Sequence, residues 1–458
     1  MNPYIRTLFI VVTFVLLSGE AFAQKIVNKQ LPNGLEIIVI PNSNVPLVTI
    51  EICVKNGAFT ETPALNGLSH LYEHMFFKGN EKFPDQESYM KKVRQLGMEF
   101  NGTTSVERVN YFYTMPSSNL RSGLEFMLAA ISTPKFDANE FEKEKKVVLG
   151  EVDRNESNPY YWLGQSTDAF LWHAYPSRKD SLGDRKTIIG ATIEQMKKMK
   201  ETYYVPNNSA LVIAGDVDPT TAFGLASEIF SSWKRGEDPF LAHPVLKHPA
   251  LPKNQFSIVK KDVKMPTFQM SWHGPSVTDD PKATFAADVL SYILQQPTSK
   301  FYKSLIENGL TLGAGISYYT QKTTGPISVF SQMKPDKLKT SIPLIRKELK
   351  KLTDPDYYTD AQLNAAKKIL AIEDLYSREK TSTYAQTVSF WWATAGLDYY
   401  RNYIKNLRSV TREDINNYVN KYINGKFFVA SLLISEKHAN ELGITLADFQ
   451  KRVESVEN

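Results

Sequence analysis

Alternating apolar and polar positions predict strands in the first part of the chain. Leu47–Val54 follows this alternating pattern and is predicted to be a strand. The dipeptide Asn33-Gly34 lies between two apolar runs and predicts a β-hairpin within residues 25–60. Residues 98–114 are rich in Thr, Tyr and Phe and predict two paired strands.

Helical periodicity predicts three helices in the same region. Residues 67–79 carry apolar side chains on most sides, so we expect a largely buried helix that is capped at its end by Gly79. Residues 84–98 predict a second helix. A third begins after Asp137, a residue type that caps helix N-termini, and runs through Val152.

A proline-rich segment and a weak internal repeat predict two domains. Residues 236–255 contain four prolines and are predicted to link a domain at residues 24–235 to a domain at residues 256–458. Four pairs of positions match at an offset of 219, and both copies lie in a helix that precedes a strand: Thr192 and Thr411, Glu194 and Glu413, Met196 and Ile415, Tyr203 and Tyr422.

Charge and composition exclude some functions and indicate export. The 458 residues are 42% hydrophobic and carry a net charge of +5 without a basic cluster, so nucleic acid is not an expected partner. Arg6, the apolar run at residues 8–17 and Ala21-Phe22-Ala23 predict a signal peptide at residues 1–23. We therefore expect a periplasmic or secreted protein without a stable membrane anchor, with an uncleaved anchor as the alternative. The single cysteine, Cys53, is expected to be a buried apolar residue rather than a nucleophile.

The candidate chemistry lies in the motif His70-x-x-Glu73-His74. On a helix the two imidazoles stand one turn apart, which suits Zn²⁺, and the intervening carboxylate can accept a proton from water. Histidines of a buried helix can also be ordinary core residues, so a metal site requires a third ligand. Shifting the motif by 219 positions gives Val289–Ile293, so the second copy of the repeat is predicted to lack a metal site.

Several separated segments together resemble the insulinase/pitrilysin-type zinc peptidases, especially the bacterial branch similar to mitochondrial processing peptidase. The segments are Gly57–Glu61 before the histidine motif, Asn101–Ser105, Glu144–Glu151, Tyr204–Asn208 and Gly215–Val217. The resemblance implies an α+β fold of two homologous α/β domains, each with a mostly antiparallel sheet packed with helices, that together form one half of a clam-shell peptidase.

The resemblance also implies roles for individual residues. His70, His74 and Glu151 would bind one Zn²⁺ per chain, although a glutamate on a charged helix is otherwise most often a solvated group. Glu73 would be the general base. Glu144 would support the metal ligands without binding the metal itself. A peptide substrate would add as a strand along an edge formed by these residues: Asn101, Gly102, Thr103, Thr104.

One segment departs from the family pattern. Active members carry an Arg and a Tyr seven positions apart in the second half, where this chain has Leu305 and Leu312. We therefore expect a heterodimer in which a homologous subunit supplies the Arg/Tyr pair, unless Lys300, Lys303 or Tyr318 substitutes for it. The alternatives are a self-sufficient homodimer and a non-catalytic structural or binding subunit of the same fold.

Overall fold

The computed structural model describes residues 26–455, and the predicted signal peptide lies outside this range. The strands form two sheets. They are β1 Val27–Gln30, β2 Glu36–Pro41, β3 Leu47–Val54, β4 Glu99–Thr104, β5 Val109–Pro116 and β6 Ser209–Gly215 in the first, and β7 Gln255–Lys260, β8 Thr267–His273, β9 Gly313–Tyr318, β10 Pro326–Gln332 and β11 Val429–Ile434 in the second.

Helices lie between and around the two sheets. Those that precede the second sheet are α1 Leu68–Phe76, α2 Gln86–Gln95, α3 Leu120–Ser132, α4 Ala138–Glu156, α5 Pro159–Leu171, α6 Arg185–Gly190, α7 Ile193–Tyr203, α8 Pro219–Phe230 and α9 Pro239–Ala242. Those that follow are α10 Pro281–Leu294, α11 Lys300–Tyr302, α12 Leu338–Lys350, α13 Asp360–Ser377, α14 Thr381–Thr394, α15 Leu397–Arg401, α16 Tyr403–Ser409, α17 Arg412–Tyr422, α18 Glu436–Leu442 and α19 Leu446–Glu454. None of the helices within residues 26–455 has both the length and the apolar character needed to cross a membrane.

The two sheets share one strand order, which confirms the predicted fold class. The first runs β1-β2-β6-β3-β5-β4 and the second β7-β11-β8-β10-β9, so β7 corresponds to β2 and β9 to β4. In each sheet one pair is parallel, β2 with β6 and β7 with β11, and the other pairs are antiparallel. The repeat is visible in detail, since Thr192 and Thr411 both cap their helices with a capping box.

The turn predicted between β1 and β2 is confirmed, whereas one predicted helix cap is wrong. The hairpin at Asn33-Gly34 joins β1 to β2, and Gly34 has a φ of +91° that favours glycine. Gly79 does not cap α1, so that prediction is wrong. The helix ends at Phe76, and Gly79 instead lets the chain pass close to the Phe83 carbonyl, from which an added Cβ would lie 3.0 Å away.

Each sheet is covered on one face by a helix from the other half of the chain. Helix α5 packs on β7, β8 and β11, and the Thr167 hydroxyl donates to Ser431 Oγ at 2.9 Å in a buried position. Helix α14 packs on β3 and β6, where Tyr384 and Val388 contact the apolar face that includes Val212. The domain limits at residues 24–235, 236–255 and 256–458 stay a prediction, and this exchange gives the two halves a shared core.

Candidate metal centre

Helix α1 leaves its two histidines partly accessible, while its other sides are packed into the core. Leu68, Leu71 and Met75 are fully buried. The Tyr72 ring stacks on Tyr204 with centroids 4.0 Å apart, and the Phe76 ring stacks on Tyr111 at 3.6 Å. Contacts on these sides fix the rotation of the helix about its axis, so the direction of the two imidazoles is set by the core.

The start of α1 is held by Glu61, whose role the sequence analysis missed. Its buried carboxylate accepts hydrogen bonds from the backbone N–H groups of Gly67 and Ser69, both at 2.7 Å. Burial raises the pKa of Glu61 to about 8, although these two hydrogen bonds oppose the rise. An acidic residue shortly before a helix start was the available signal, because carboxylates are favourable at helix N-termini.

Three partly buried side chains from two helices converge on the side of α1 that carries the histidines. His70 Nε2 lies 3.3 Å from Glu151 Oε2, and His74 Nε2 lies 3.8 Å from the same oxygen. One ligand atom of each residue lies within 4.8 Å of the others, and no second group of this kind occurs within residues 26–455. Two imidazole nitrogens and one carboxylate oxygen are the donor set of a catalytic zinc site with an open fourth position. The residues present therefore fit Zn²⁺, and their role as ligands remains a proposal.

Glu144 contacts Nδ1 of His74, and Lys78 in turn contacts Glu144. His74 Nδ1 lies 3.1 Å from Glu144 Oε2, while Lys78 Nζ lies 2.7 Å from Glu144 Oε1. Burial raises the pKa of Glu144, but the interactions with His74 and Lys78 outweigh it, so the net pKa is lowered. A histidine whose Nδ1 is engaged in this way offers Nε2 to a metal. Lys78 follows the helix without a recognisable motif, and the sequence analysis did not identify it.

Glu73 lies beside the convergent residues and contacts the sheet. Its Oε2 accepts a hydrogen bond of 2.6 Å from the Thr104 hydroxyl. Burial raises the pKa of Glu73, and the negative charge of Glu151 raises it further. The Thr104 hydrogen bond and His74 act in the opposite direction, but the net pKa is still raised. A carboxylate with a raised pKa next to a metal position is suited to accept and return a proton.

The four residues predicted to bind substrate lie on β4, which is at the edge of the first sheet. Gly102 faces α1 so closely that an added Cβ would lie 3.0 Å from Glu73 Cγ. Thr104 lies on the same face, whereas Thr103 donates to Asn110 on the other face. Asn101 accepts a hydrogen bond from the Gly102 N–H at 2.9 Å. The strand thus passes directly beside Glu73, and its use by a peptide remains a proposal.

The residues at the Arg/Tyr positions offer no side-chain donors. Leu305 is fully buried in the second core, and Leu312 is an aliphatic side chain that is 50% exposed. The Tyr318 hydroxyl donates to the Pro275 carbonyl at 2.9 Å, so it is already engaged within its own half.

Two of the remaining histidines meet at the junction of the halves. The ring centroids of His248 and His273 lie 4.8 Å and 5.0 Å from that of Trp172, and Lys179 Nζ lies 4.3 Å from the same ring. The sequence pattern assigned no role to either histidine. Their wide separation in sequence concealed the cluster, because only the folded chain brings them together.

Comparisons with known proteins agree with this fold. The model of the insulinase family (peptidase family M16) matches residues 37–175, and the model of the peptidase M16 inactive domain matches residues 190–370. The zinc protease PqqE of Helicobacter pylori is 25% identical over 356 residues, which are 74% of this chain and 79% of the relative.

Two solved structures show the same fold. A protease from Helicobacter pylori matches with a TM-score of 0.80 at 21% identity, over 90% of this chain and 100% of that one. The periplasmic protease PqqL from Escherichia coli matches with a TM-score of 0.78 at 15% identity, over 95% of this chain but only 50% of that one. The fold is that of the halves of M16-like peptidases. The chain belongs to the insulinase family, peptidase family M16.

Proposed function

We propose that this protein is an exported zinc endopeptidase that hydrolyses peptides or unfolded polypeptides. The observation that carries the proposal is the convergence of His70, His74 and Glu151 next to the partly buried Glu73. In this proposal the first three residues hold one Zn²⁺ per chain, and Glu73 is the catalytic base. Relatives named zinc proteases support the metal and the reaction class.

The residues of the chain divide the work of hydrolysis. When bound, zinc supplies a Lewis acid that polarises a carbonyl and lowers the pKa of water to about 7. Glu73 accepts the proton from the attacking water and then returns it to the leaving amine. Thr104 orients the Glu73 carboxylate through its hydrogen bond of 2.6 Å. Strand β4 holds the peptide by backbone hydrogen bonds, which suits broad sequence specificity.

The catalytic unit in this proposal includes a second, homologous subunit. Leu305 and Leu312 cannot donate the hydrogen bonds that an Arg and a Tyr would supply to a substrate. The chain matches half of the PqqL protease, which is consistent with an assembly of two such halves. We therefore expect a heterodimer whose other subunit carries the Arg/Tyr pair, and the homodimer remains the alternative.

The proposed location is outside the cytoplasm. The proposal rests on the signal peptide predicted at residues 1–23 and on the name of a structural neighbour, a periplasmic protease.

A non-catalytic subunit of the same fold is the second candidate. The specific observation in its favour is the pair of aliphatic side chains at Leu305 and Leu312. The family model that matches residues 190–370 is also described as an inactive domain. The retained His70, Glu73, His74 and Glu151 argue for the catalytic form, since a purely structural subunit has no use for them.

Cleavage of a quenched fluorescent peptide mixture tests the proposal. The purified chain is assayed alone and together with a co-expressed family member that carries the Arg/Tyr pair, and Glu73→Gln is the blank. We expect activity in the mixture that disappears with Glu73→Gln. Activity of the chain alone would refute the need for a partner. No cleavage in either sample, despite bound zinc, would favour the non-catalytic subunit.

A further inference from the structure

Lys78 occupies a position where it can control the geometry of the metal centre without touching the metal. Its Nζ lies 2.7 Å from Glu144 Oε1, and the side chains of Lys78 and Glu144 are only 13% and 8% exposed. The other oxygen of Glu144 faces His74 Nδ1 at 3.1 Å. Both oxygens of this carboxylate are therefore in use, one for a cation and one for a proposed zinc ligand.

The backbone around Lys78 ties the helix with the histidines to the helix with the glutamates. After α1 the chain runs beside the segment that precedes α4, with an isolated bridge between Asn80 and Pro134. Two backbone hydrogen bonds flank this bridge, Lys135 N–H to the Gly79 carbonyl at 3.0 Å and Glu81 N–H to the Thr133 carbonyl at 3.1 Å. The Lys78–Glu144 ion pair lies near this junction and joins the segment directly after α1 to helix α4.

We propose that Lys78 is a positioning residue for the metal centre, acting through Glu144 on the orientation of the His74 ring. This inference rests on the proposed function, because it assumes that His74 binds zinc through Nε2. A carboxylate held at both oxygens cannot rotate freely, and it therefore fixes the imidazole that donates to it. Removing Lys78 leaves Glu144 with one anchor, so the His74 ring loses part of its preorganisation.

We expect the loss of zinc affinity to match that seen when other groups that hydrogen-bond to a metal ligand are removed. Loss of such partners typically weakens metal binding by about 10- to 100-fold. We expect Lys78→Met to raise the zinc dissociation constant by about 10-fold or more, and Glu144→Gln to have a similar effect. Lys78→Arg keeps the charge and the donors, so it should restore a large part of the affinity.

Zinc dissociation constants measured by chelator competition test the inference, without any peptidase assay. The double variant Lys78→Met/Glu144→Gln should bind zinc within about 3-fold of Glu144→Gln alone, because both changes break the same connection. The matched control is Lys143→Met, which removes a 67% exposed lysine of α4 that pairs with Glu140. This control should bind zinc like the wild type.

A second readout separates positioning from a general loss of stability. Long-range ¹H–¹⁵N NMR of the zinc-loaded protein should show a protonated Nδ1 for His74 whose exchange with water becomes faster in Lys78→Met. Thermal unfolding of the metal-free Lys78→Arg and Lys78→Met proteins shows whether both are folded.

The outcomes distinguish this inference from the proposed function. If the wild type binds zinc and Lys78→Met binds it equally well, the positioning role is wrong and the proposed function stands. The positioning role would also be wrong if the double variant lost zinc affinity by the product of the two single losses, because Lys78 would then act independently of Glu144. If the wild type binds no zinc, the proposed function fails and the inference with it.

Discussion

At the scale of single residues, the proposed role of Glu73 as the catalytic base depends on how its carboxylate is held. Burial raises the pKa of this carboxyl group, and the Thr104 hydroxyl opposes the rise by donating to Oε2 at 2.6 Å. The chain thus places a base of raised pKa beside the proposed metal position while keeping its orientation fixed.

Replacing Thr104 should move the pH dependence of cleavage. Thr104→Val removes the hydrogen bond that favours the ionised carboxylate, so the pKa of Glu73 should rise further. A hydrogen bond to a charged group contributes about 1.5 kcal/mol, which corresponds to about one pH unit. We expect the acidic limb of kcat/KM to shift upward by about that amount, and Thr104→Ser to keep the wild-type profile. An unchanged limb in Thr104→Val would show that this contact does not tune Glu73.

The sequence predicted the chemical groups of the site better than it predicted their supports. His70, Glu73 and His74 lie in one recognisable motif, and Glu151 lies on a helix with a readable cap. Glu61 and Lys78 could not be assigned, because their partners are set by how α1 meets neighbouring segments. A charged side chain near a motif is usually solvated, and only tertiary packing shows that these two are not.

At the scale of secondary-structure elements, the edge strand β4 depends on a close approach to α1. Gly102 leaves room for Glu73 and Phe77, whose atoms would lie 3.0 Å and 3.2 Å from an added Cβ. This spacing brings the strand next to Glu73, so a peptide that added to β4 would lie beside the proposed base.

Gly102→Ala should therefore push β4 away from Glu73 by a few tenths of an ångström. We expect kcat/KM to fall by about 10-fold or more, since small displacements at a reacting centre are costly. Glu99→Ala, on an exposed residue at the start of the same strand, is the control for a general effect on β4. Equal kinetics for Gly102→Ala and wild type would count against a role of this contact in positioning substrate.

The opposite face of the same sheet is joined to α14 by buried polar groups. Glu51 is fully buried and accepts hydrogen bonds from Asn110 and Ser389, with Arg108 Nη1 at 3.9 Å. Arg108 also donates to the Gln386 carbonyl and to Ser389 Oγ, both at 2.6 Å. These contacts hold a helix from the second half of the chain on a sheet of the first.

Removing Arg108 should destabilise this contact strongly. Arg108→Met leaves the buried Glu51 without its cation, which typically costs about 3 kcal/mol or more in the free energy of unfolding. Adding Glu51→Gln should recover part of the loss. Arg121→Met is the control, because Arg121 and Glu228 are 49% and 61% exposed and such pairs contribute less than about 1 kcal/mol. Chemical denaturation measures all four proteins, and equal losses for Arg108→Met and Arg121→Met would contradict this account.

The sequence did not predict that α5 covers the second sheet and α14 covers the first. Strands β6 and β11 consist entirely of buried residues, which signals a sheet covered on both faces. The pattern cannot say which helix provides the cover, because any amphipathic helix satisfies it. The Asp137 cap of α4 and the hairpin at Asn33-Gly34, by contrast, followed from local sequence.

At the scale of the whole molecule, the junction of the halves is expected to respond to acid. Burial lowers the pKa of His248 to about 3 and that of His273 to about 4, so the folded state keeps both rings neutral. In the unfolded chain these groups bind protons below about pH 6.5, whereas in the folded state they stay neutral until the pH is much lower. Protons therefore favour the unfolded state, and stability is lost as the pH falls below about 6.5.

His248→Phe should therefore flatten the pH dependence of stability. We expect the loss in unfolding free energy between pH 7 and pH 5 to be smaller than in the wild type by about 1–2 kcal/mol. The control is His243→Phe, which removes an exposed histidine of the same segment and should leave the slope unchanged. Identical slopes for wild type and His248→Phe, measured by denaturation at several pH values, would show that this ring is already solvated.

The zinc content of the purified protein tests the central claim most directly. After dialysis against metal-free buffer, elemental analysis of the wild type should give about one zinc ion per chain, as the His70, His74 and Glu151 donor set predicts. Glu151→Gln should retain much less zinc, whereas Glu73→Gln should retain it fully. A wild type without zinc, or a Glu151→Gln protein that keeps all of it, would contradict the proposed metal centre.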